Sequence, residues 1–182
     1  RIYREQGLGG LLARVRHKLS PPQPPRRPTL SPPLVAIAPL QLTTCPPEVT
    51  PRVSIVIPTY GQHQHTFNCL LSLRDHTDLG DVEIIVVDDC FEVPLTKALS
   101  QTTGARMVRN PHNLGFIGSC REGTALARGE FILLLNNDVQ VCAGWLRAML
   151  AVFEQRPDAG LVGARLVYPD GSLQEAGGIV WR

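Results

Sequence analysis

The sequence has no apolar run long enough to cross a bilayer as a helix. Although 43% of its 182 residues are hydrophobic, the best stretch, Leu34 to Leu42, is interrupted by Pro39 and falls well short of the ~18 to 20 residues a span needs. The first residues also lack the charged, apolar and small-residue succession of a secretory leader. The five cysteines, Cys45, Cys69, Cys90, Cys120 and Cys142, are odd in number and widely spaced. No CxxC pair occurs, which argues against a zinc ribbon or a thioredoxin-type site; free, mostly buried thiols in a reducing cytoplasm are expected. The common phosphate loops are missing too. Without GxxxxGK[ST] the chain is not a P-loop NTPase. Without GxGxxG after the first strand it does not match a nicotinamide Rossmann enzyme, and without GxSxG it does not match an α/β-hydrolase.

Charge of one sign is scarce in the body of the chain. The formal net charge is +2, but residues 1–27 hold seven Lys or Arg against the single acid Glu5, so the remainder is mildly acidic. A strongly basic nucleic-acid-binding domain is excluded and no nucleic-acid partner is expected. The basic start suits a solvated helix face or contact with acidic lipid. The expected location is cytoplasmic, with peripheral association at the inner face of the membrane as the further option. The chain begins at Arg1 and ends at Trp181-Arg182 straight after an apolar run, which reads as a piece of a longer polypeptide with further domains.

Three segments follow from the patterning. Residues 1–19 form a basic helical segment, with Ile2, Leu8, Leu11, Leu12, Val15 and Leu19 at three- and four-residue steps. Residues 20–51 are a proline-rich linker, since eleven of the sixteen prolines fall in 21–51 and proline opposes both helix interiors and central strands. A globular domain occupies 52–182. Within it, near-continuous apolar strands at 53–57, 82–87, 106–109 and 131–135 alternate with helices near 67–73, 95–101, 117–127 and 145–153. The 161–167 stretch reads as extended, and Pro169-Asp-Gly-Ser172 as a turn into another strand. This is an α/β, three-layer α/β/α arrangement with a mostly parallel sheet covered on both faces.

Ligands in such sheets sit at the carboxyl ends of the strands. Three polar clusters fall there: Pro58-Thr59-Tyr60, Asp88-Asp89 and Asn136-Asn137-Asp138. Two of them have a structural alternative: helix capping for the acid pair, an Asx turn for the asparagines. Together they can line one crevice. An acidic crevice suits a nucleoside diphosphate when a divalent cation bridges the charges, because Mg²⁺ or Mn²⁺ takes one or two carboxylates plus phosphate oxygens. Asp138 is the candidate ligand, and Asp88 or Asp89 the candidate acceptor for an imide N–H of a base.

The run from Val53 to Tyr60, Val86-Val-Asp-Asp89, Asn113-Leu-Gly-Phe116 and Leu133-Leu-Leu-Asn-Asn-Asp138 closely resembles the family 2 glycosyltransferases of GT-A fold, a Rossmann-like nucleotide-diphospho-sugar transferase architecture. The resemblance covers about 52–182, with the C-terminal part of the family's domain cut off. It implies transfer of a sugar from a nucleotide-diphosphate donor to an acceptor hydroxyl, usually inverting and with divalent metal. By the same resemblance Pro58, Thr59 and Tyr60 pack round the nucleoside, one of Asp88 and Asp89 pairs with the base, and Asn113 and Gly115 border the donor pocket. Asn137 and Asp138 end the metal motif, often Asp-x-Asp, with Asn136 replacing its first acid. The implied partners are a uridine- or thymidine-diphosphate sugar and a glycan, lipid-linked or protein acceptor, in polysaccharide biosynthesis.

Two departures stand out: Asp89 is followed by Cys90-Phe91 where the family has small residues, and Arg121 stands where Asn is usual. Arg121 reads as a surface residue. His63 and His65 read as loop decoration, His112 likewise, and Trp145 as core. No residue supplies an obvious base for the acceptor hydroxyl; Asp170 and Glu175 are the only acids after Asp158, and the base is expected beyond Arg182. A non-catalytic nucleotide-sugar-binding or scaffold domain is the alternative. A nucleotidyltransferase fits poorly, because Thr59-Tyr-Gly-Gln-His63 has no Lys or Arg.

Overall fold

The computed structural model describes residues 33–176. The expected basic helix over 1–19 and the first part of the linker lie outside the described residues. The main sheet has four parallel strands in the order β5-β3-β2-β6: β2 is Val53–Thr59, β3 Val82–Asp88, β5 Arg106–Arg109 and β6 Phe131–Leu134. β2 and β3 are buried along all seven residues. They divide by the two-residue period of a strand. Val53, Ile55, Ile57, Val82, Ile84 and Val86 face one cluster, and Val56, Ile85 and Val87 the other.

The first face is covered by α1 (His63–His76), through Phe67, Leu70 and Leu73, and by α4 (Trp145–Gln155), through Leu146. The second face is covered by α3 (Gly115–Ala125). A methyl at Gly123 would lie 2.3 Å from Val56 Cγ1, so the absence of a side chain there sets how closely α3 approaches the sheet. α2 is a short turn, Leu95–Ala98, shorter than the expected 95–101. The chain turns back after it, with the Thr102 N–H bonding the Leu99 carbonyl at 2.9 Å. A two-strand antiparallel pair, β7 (Leu166–Val167) with β8 (Leu173–Glu175), flanks the expected 169–172 turn.

The linker expectation is corrected for its second half. β1 (Leu40–Gln41) pairs in parallel with β4 (Thr102–Thr103). Leu40 and Leu42 join the main core at 2% and 3% exposure. Extended backbone between Pro39 and Pro46 is free to pair, and leucines two residues apart point to the same side. The glycine at 104, at φ +85°, permits the approach: a Cβ there would lie 1.9 Å from the Leu42 carbonyl oxygen.

The connections place the crevice. β2 leads through α1 to β3 on one face, whereas α3 returns from β5 to β6 on the other. The loops therefore part at the carboxyl ends of β2 and β6, the position where open α/β sheets bind ligands.

Candidate functional site

A cavity of about 380 Å³ opens at this point. Pro58, Thr59, Tyr60 and Gln62 line it from the end of β2, Asp89 from β3, Phe116 and Ser119 from α3, and Asn136, Asn137 and Asp138 from the end of β6. Six of the nine sequence-selected residues are brought together: Pro58, Thr59, Tyr60, Asp89, Asn137 and Asp138. Asp88, Asn113 and Gly115 are not on the wall.

The β2–α1 turn is made by Gly61 and Gln62, both in the left-handed region at φ +64° and +49°. A Cβ on Gly61 would also press on the Phe91 ring at 3.0 Å. Phe91 meets Tyr60 edge-on, with centroids 5.2 Å apart at 84°, and meets His63 at 5.8 Å. Tyr60 is left 55% exposed and presents a flat apolar surface. The HxH pair is not a loop feature: His63 and His65 lie in the first turn of α1.

The two acids are spent differently. Asp88 turns away from the cavity. Its carboxylate accepts from the Phe91 and Leu95 N–H groups at 3.2 and 3.0 Å and from Arg109 Nη1 at 2.6 Å. This is the capping alternative, extended by an ion pair. Arg109 also donates to the Phe91 carbonyl at 2.8 Å, so Phe91, which packs on the cavity residue Tyr60, is fixed through its backbone.

Asp89 stands on the wall but serves α3. Oδ1 accepts from the Leu114 N–H at 2.7 Å and Asn110 Nδ2 at 2.8 Å, and Oδ2 from the Gly115 N–H at 2.8 Å; Asn110 Nδ2 also donates to Ser119 Oγ at 2.9 Å. A carboxylate at a helix N-terminus satisfies N–H groups that the helix itself leaves unpaired. Burial pushes this carboxyl up, yet the bonds from Leu114, Asn110 and Gly115, with the Ser119 hydroxyl beside them, outweigh it and hold it below the usual carboxylate range. With three of its about four lone-pair sites taken by internal donors, little acceptor capacity is left for an imide N–H. Asn113 is exposed, and its Oδ1 accepts from the Gly115 N–H at 3.0 Å, an Asx turn at the start of α3. Ser119 and Asn110 carry no motif in the sequence, and Phe116, which ends the Asn113-Leu-Gly-Phe116 motif, is not among the expected wall residues although it lines the cavity. Their one signal is position, since Ser119 lies one helical turn after Gly115 on α3.

At the end of β6 Asn137 is half-buried and Asp138 exposed. Asn137 Nδ2 donates to Thr59 Oγ1 at 3.1 Å and Thr66 Oγ1 at 3.0 Å. The Cys69 thiol donates to the Asn136 carbonyl at 3.8 Å, and the Val141 N–H to Ser72 Oγ at 3.1 Å. Burial, with a further push from the Asp138 charge, raises Cys69 to about 12, so it stays a protonated donor. Among the described residues no group of three His, Cys, Asp or Glu side chains is placed to enclose a metal. One exposed carboxylate at a cavity rim fits a cation shared with phosphate oxygens, the usual arrangement for Mg²⁺.

A family model described as Glycosyl transferase family 2 matches residues 54–180. Two relatives are similar over most of the chain. Uncharacterized protein y4gI of Sinorhizobium fredii is 37% identical over 141 residues, 74% of this chain and 15% of that protein. O-antigen biosynthesis protein RfbC of Myxococcus xanthus is 33% identical over 137 residues, 72% of this chain and 10% of that protein. The chain thus spans a small part of the length of these relatives. The crystal structure of S. aureus TarS 1-349 superposes with a TM-score of 0.50 at 22% identity, covering 58% of this chain and 33% of that one, a likeness of fold. With the parallel sheet and the crevice at its carboxyl edge, these matches place the chain in glycosyl transferase family 2.

Proposed function

We propose that this chain forms the donor-binding part of a glycosyltransferase that transfers a sugar from a uridine- or thymidine-diphosphate donor to an acceptor hydroxyl, with inversion and with Mn²⁺ or Mg²⁺. The observation that carries this is one cavity at the carboxyl ends of β2, β3 and β6 with Asp138 at its rim. The base packs on the exposed Tyr60 ring, and the diphosphate lies toward Asp138. Asp89 and Phe91 shape the wall behind the nucleoside, and Asn113 and Gly115 form the rim. The cation, when bound, neutralises charge developing on the leaving diphosphate. The acceptor is a glycan, a lipid-linked saccharide or a protein, in a polysaccharide pathway such as the one named for RfbC.

Proton removal from the acceptor needs a free carboxylate or similar base. Among the described residues the cavity is lined by two carboxylates. Asp89 is held by three internal donors and Asp138 is assigned to the cation, so we assign the base to sequence beyond Arg182. No helix among the described residues is long and apolar enough to cross a membrane. We place the domain at the cytoplasmic side, with the basic segment 1–27 as its contact with acidic lipid.

Calorimetric titration of uridine diphosphate with and without Mn²⁺ tests the assignment. Binding tightened about tenfold or more by Mn²⁺, a gain of about 1.4 kcal/mol, and levelled by Asp138→Ala, is expected. A folded chain that binds no uridine, thymidine or guanosine diphosphate would overturn it in favour of a scaffold domain.

A further inference from the structure

The middle residue of the Asn136-Asn137-Asp138 turn has no free amide hydrogen to offer a donor. The Thr59 hydroxyl donates to the Gly61 carbonyl at 3.0 Å, and Thr59 and Thr66 oxygens are 3.0 Å apart. Thr59 has one hydrogen, so Thr66 is the donor in that pair. Thr59 Oγ1 and Thr66 Oγ1 then accept one hydrogen each from the Asn137 amide. The set closes, and only an amide nitrogen at 137 supplies both bonds.

The same face of α1 continues the attachment. Thr66, Cys69 and Ser72 recur every three residues, so they lie along one side of the helix. They bond to Asn137, Asn136 and Val141 in turn. All of these contacts span the gap where the β2 and β6 loops part. They fix the 136–141 segment from the helix side and leave Asp138 exposed on the cavity side.

We propose that Asn137 is a positioning residue rather than a donor contact: its amide ties the 136–141 segment to Thr59 and Thr66 and thereby holds Asp138 where a cation shared with the diphosphate would meet it. This rests on the assignment of Asp138 above.

Asn137→Ala is a clean deletion, because the Thr66–Thr59–Gly61 chain of bonds survives it. Thr66→Val removes one acceptor of the Asn137 amide, together with the hydrogen Thr66 gives Thr59, and nearly keeps the side-chain shape. Two measurements on the 182-residue chain separate the possibilities. The first is native-state hydrogen exchange without ligand. The Val141 amide, bonded to Ser72, should exchange about tenfold faster in Asn137→Ala, the effect of losing roughly 1.4 kcal/mol of local tethering, while β3 amides keep their protection. Unchanged exchange at Val141 overturns the proposal, whatever the nucleotide does. The second is uridine diphosphate affinity with and without Mn²⁺. The gain from Mn²⁺ should fall in Asn137→Ala and partly in Thr66→Val, with affinity in the absence of Mn²⁺ unchanged. The double variant should lose little more than Asn137→Ala, since the two share one bond. Equal weakening with and without Mn²⁺ would mean that Asn137 touches the nucleotide, and would overturn it. If the wild type gains nothing from Mn²⁺, the assignment of Asp138 fails, and the exchange result alone decides whether the tether exists.

Discussion

At Asp89 three donors converge on two oxygens, and the consequence is a pH dependence of known sign. Its carboxyl is held below the usual range, so it stabilises the fold fully above the unfolded value of about 3.9. That contribution is lost as the pH falls through the lower folded value. Asp89→Asn keeps the volume but sets an amide N–H₂ against donors such as the Leu114 or Gly115 N–H. Urea unfolding at pH 7 should show a loss of about 2–3 kcal/mol, the range for bonds to a charged group, and the gap to wild type should narrow below about pH 4. A variant as stable as wild type at pH 7 would contradict the role described for the α3 start. The acid pair itself was legible in the sequence as a polar doublet at a strand end. Its partners were not, because Asn110, Leu114 and Ser119 come from a loop and a helix 21 to 30 positions further along the chain.

Between elements, the sheet's other end is closed by a pair that no motif announces. Ser54 and Glu83 are register partners on β2 and β3, and both are buried. Ser54 Oγ donates to Glu83 Oε1 at 2.5 Å, the Arg128 N–H to the same oxygen at 2.7 Å, and Arg128 Nε to Oε2 at 3.1 Å. Burial pushes Glu83 up, but the Ser54 hydroxyl and then the backbone and side chain of Arg128 hold it below its usual range. The same guanidinium reaches the Pro47 and Val49 carbonyls, joining the end of α3, the start of the sheet and the turn before β2. Gly129 lets the chain pass here, since a Cβ would lie 2.6 Å from the Ser54 nitrogen. Arg128→Ala leaves the buried carboxylate with two of its three donors. It should lower unfolding free energy by about 2 kcal/mol, with Arg128→Lys in between because a single ammonium cannot serve both sides. Equal stability of Lys and wild type would show that charge alone suffices.

For the molecule as a whole the question is where the folding unit begins. Strand and helix periodicity located four main-sheet strands to within a residue or two, because apolar runs between turn residues carry a local signal. The start at residue 52 was drawn from proline density, an average over 31 residues that conceals the Leu40-Gln-Leu42 alternation and its distant partner at 102–103. Leu40, Leu42 and Cys45 are buried, Cys45 donates its N–H to the Val82 carbonyl at 2.9 Å, and Leu40 and Leu42 bond Gln101 and Thr103 at 3.1 and 3.0 Å. Fully burying a leucine is worth about 1.5–3 kcal/mol, so losing two of them outweighs the usual tolerance of termini to trimming. A chain starting at residue 33 should unfold at the same urea midpoint as the 182-residue chain. One starting at Arg52 should lose about 3–6 kcal/mol, a large share of the 5–15 kcal/mol typical of a domain, and exchange the β4 amides freely. If both truncated chains match the full one, residues 33–51 pack without contributing to stability, and the boundary drawn at 52 stands as the energetic one.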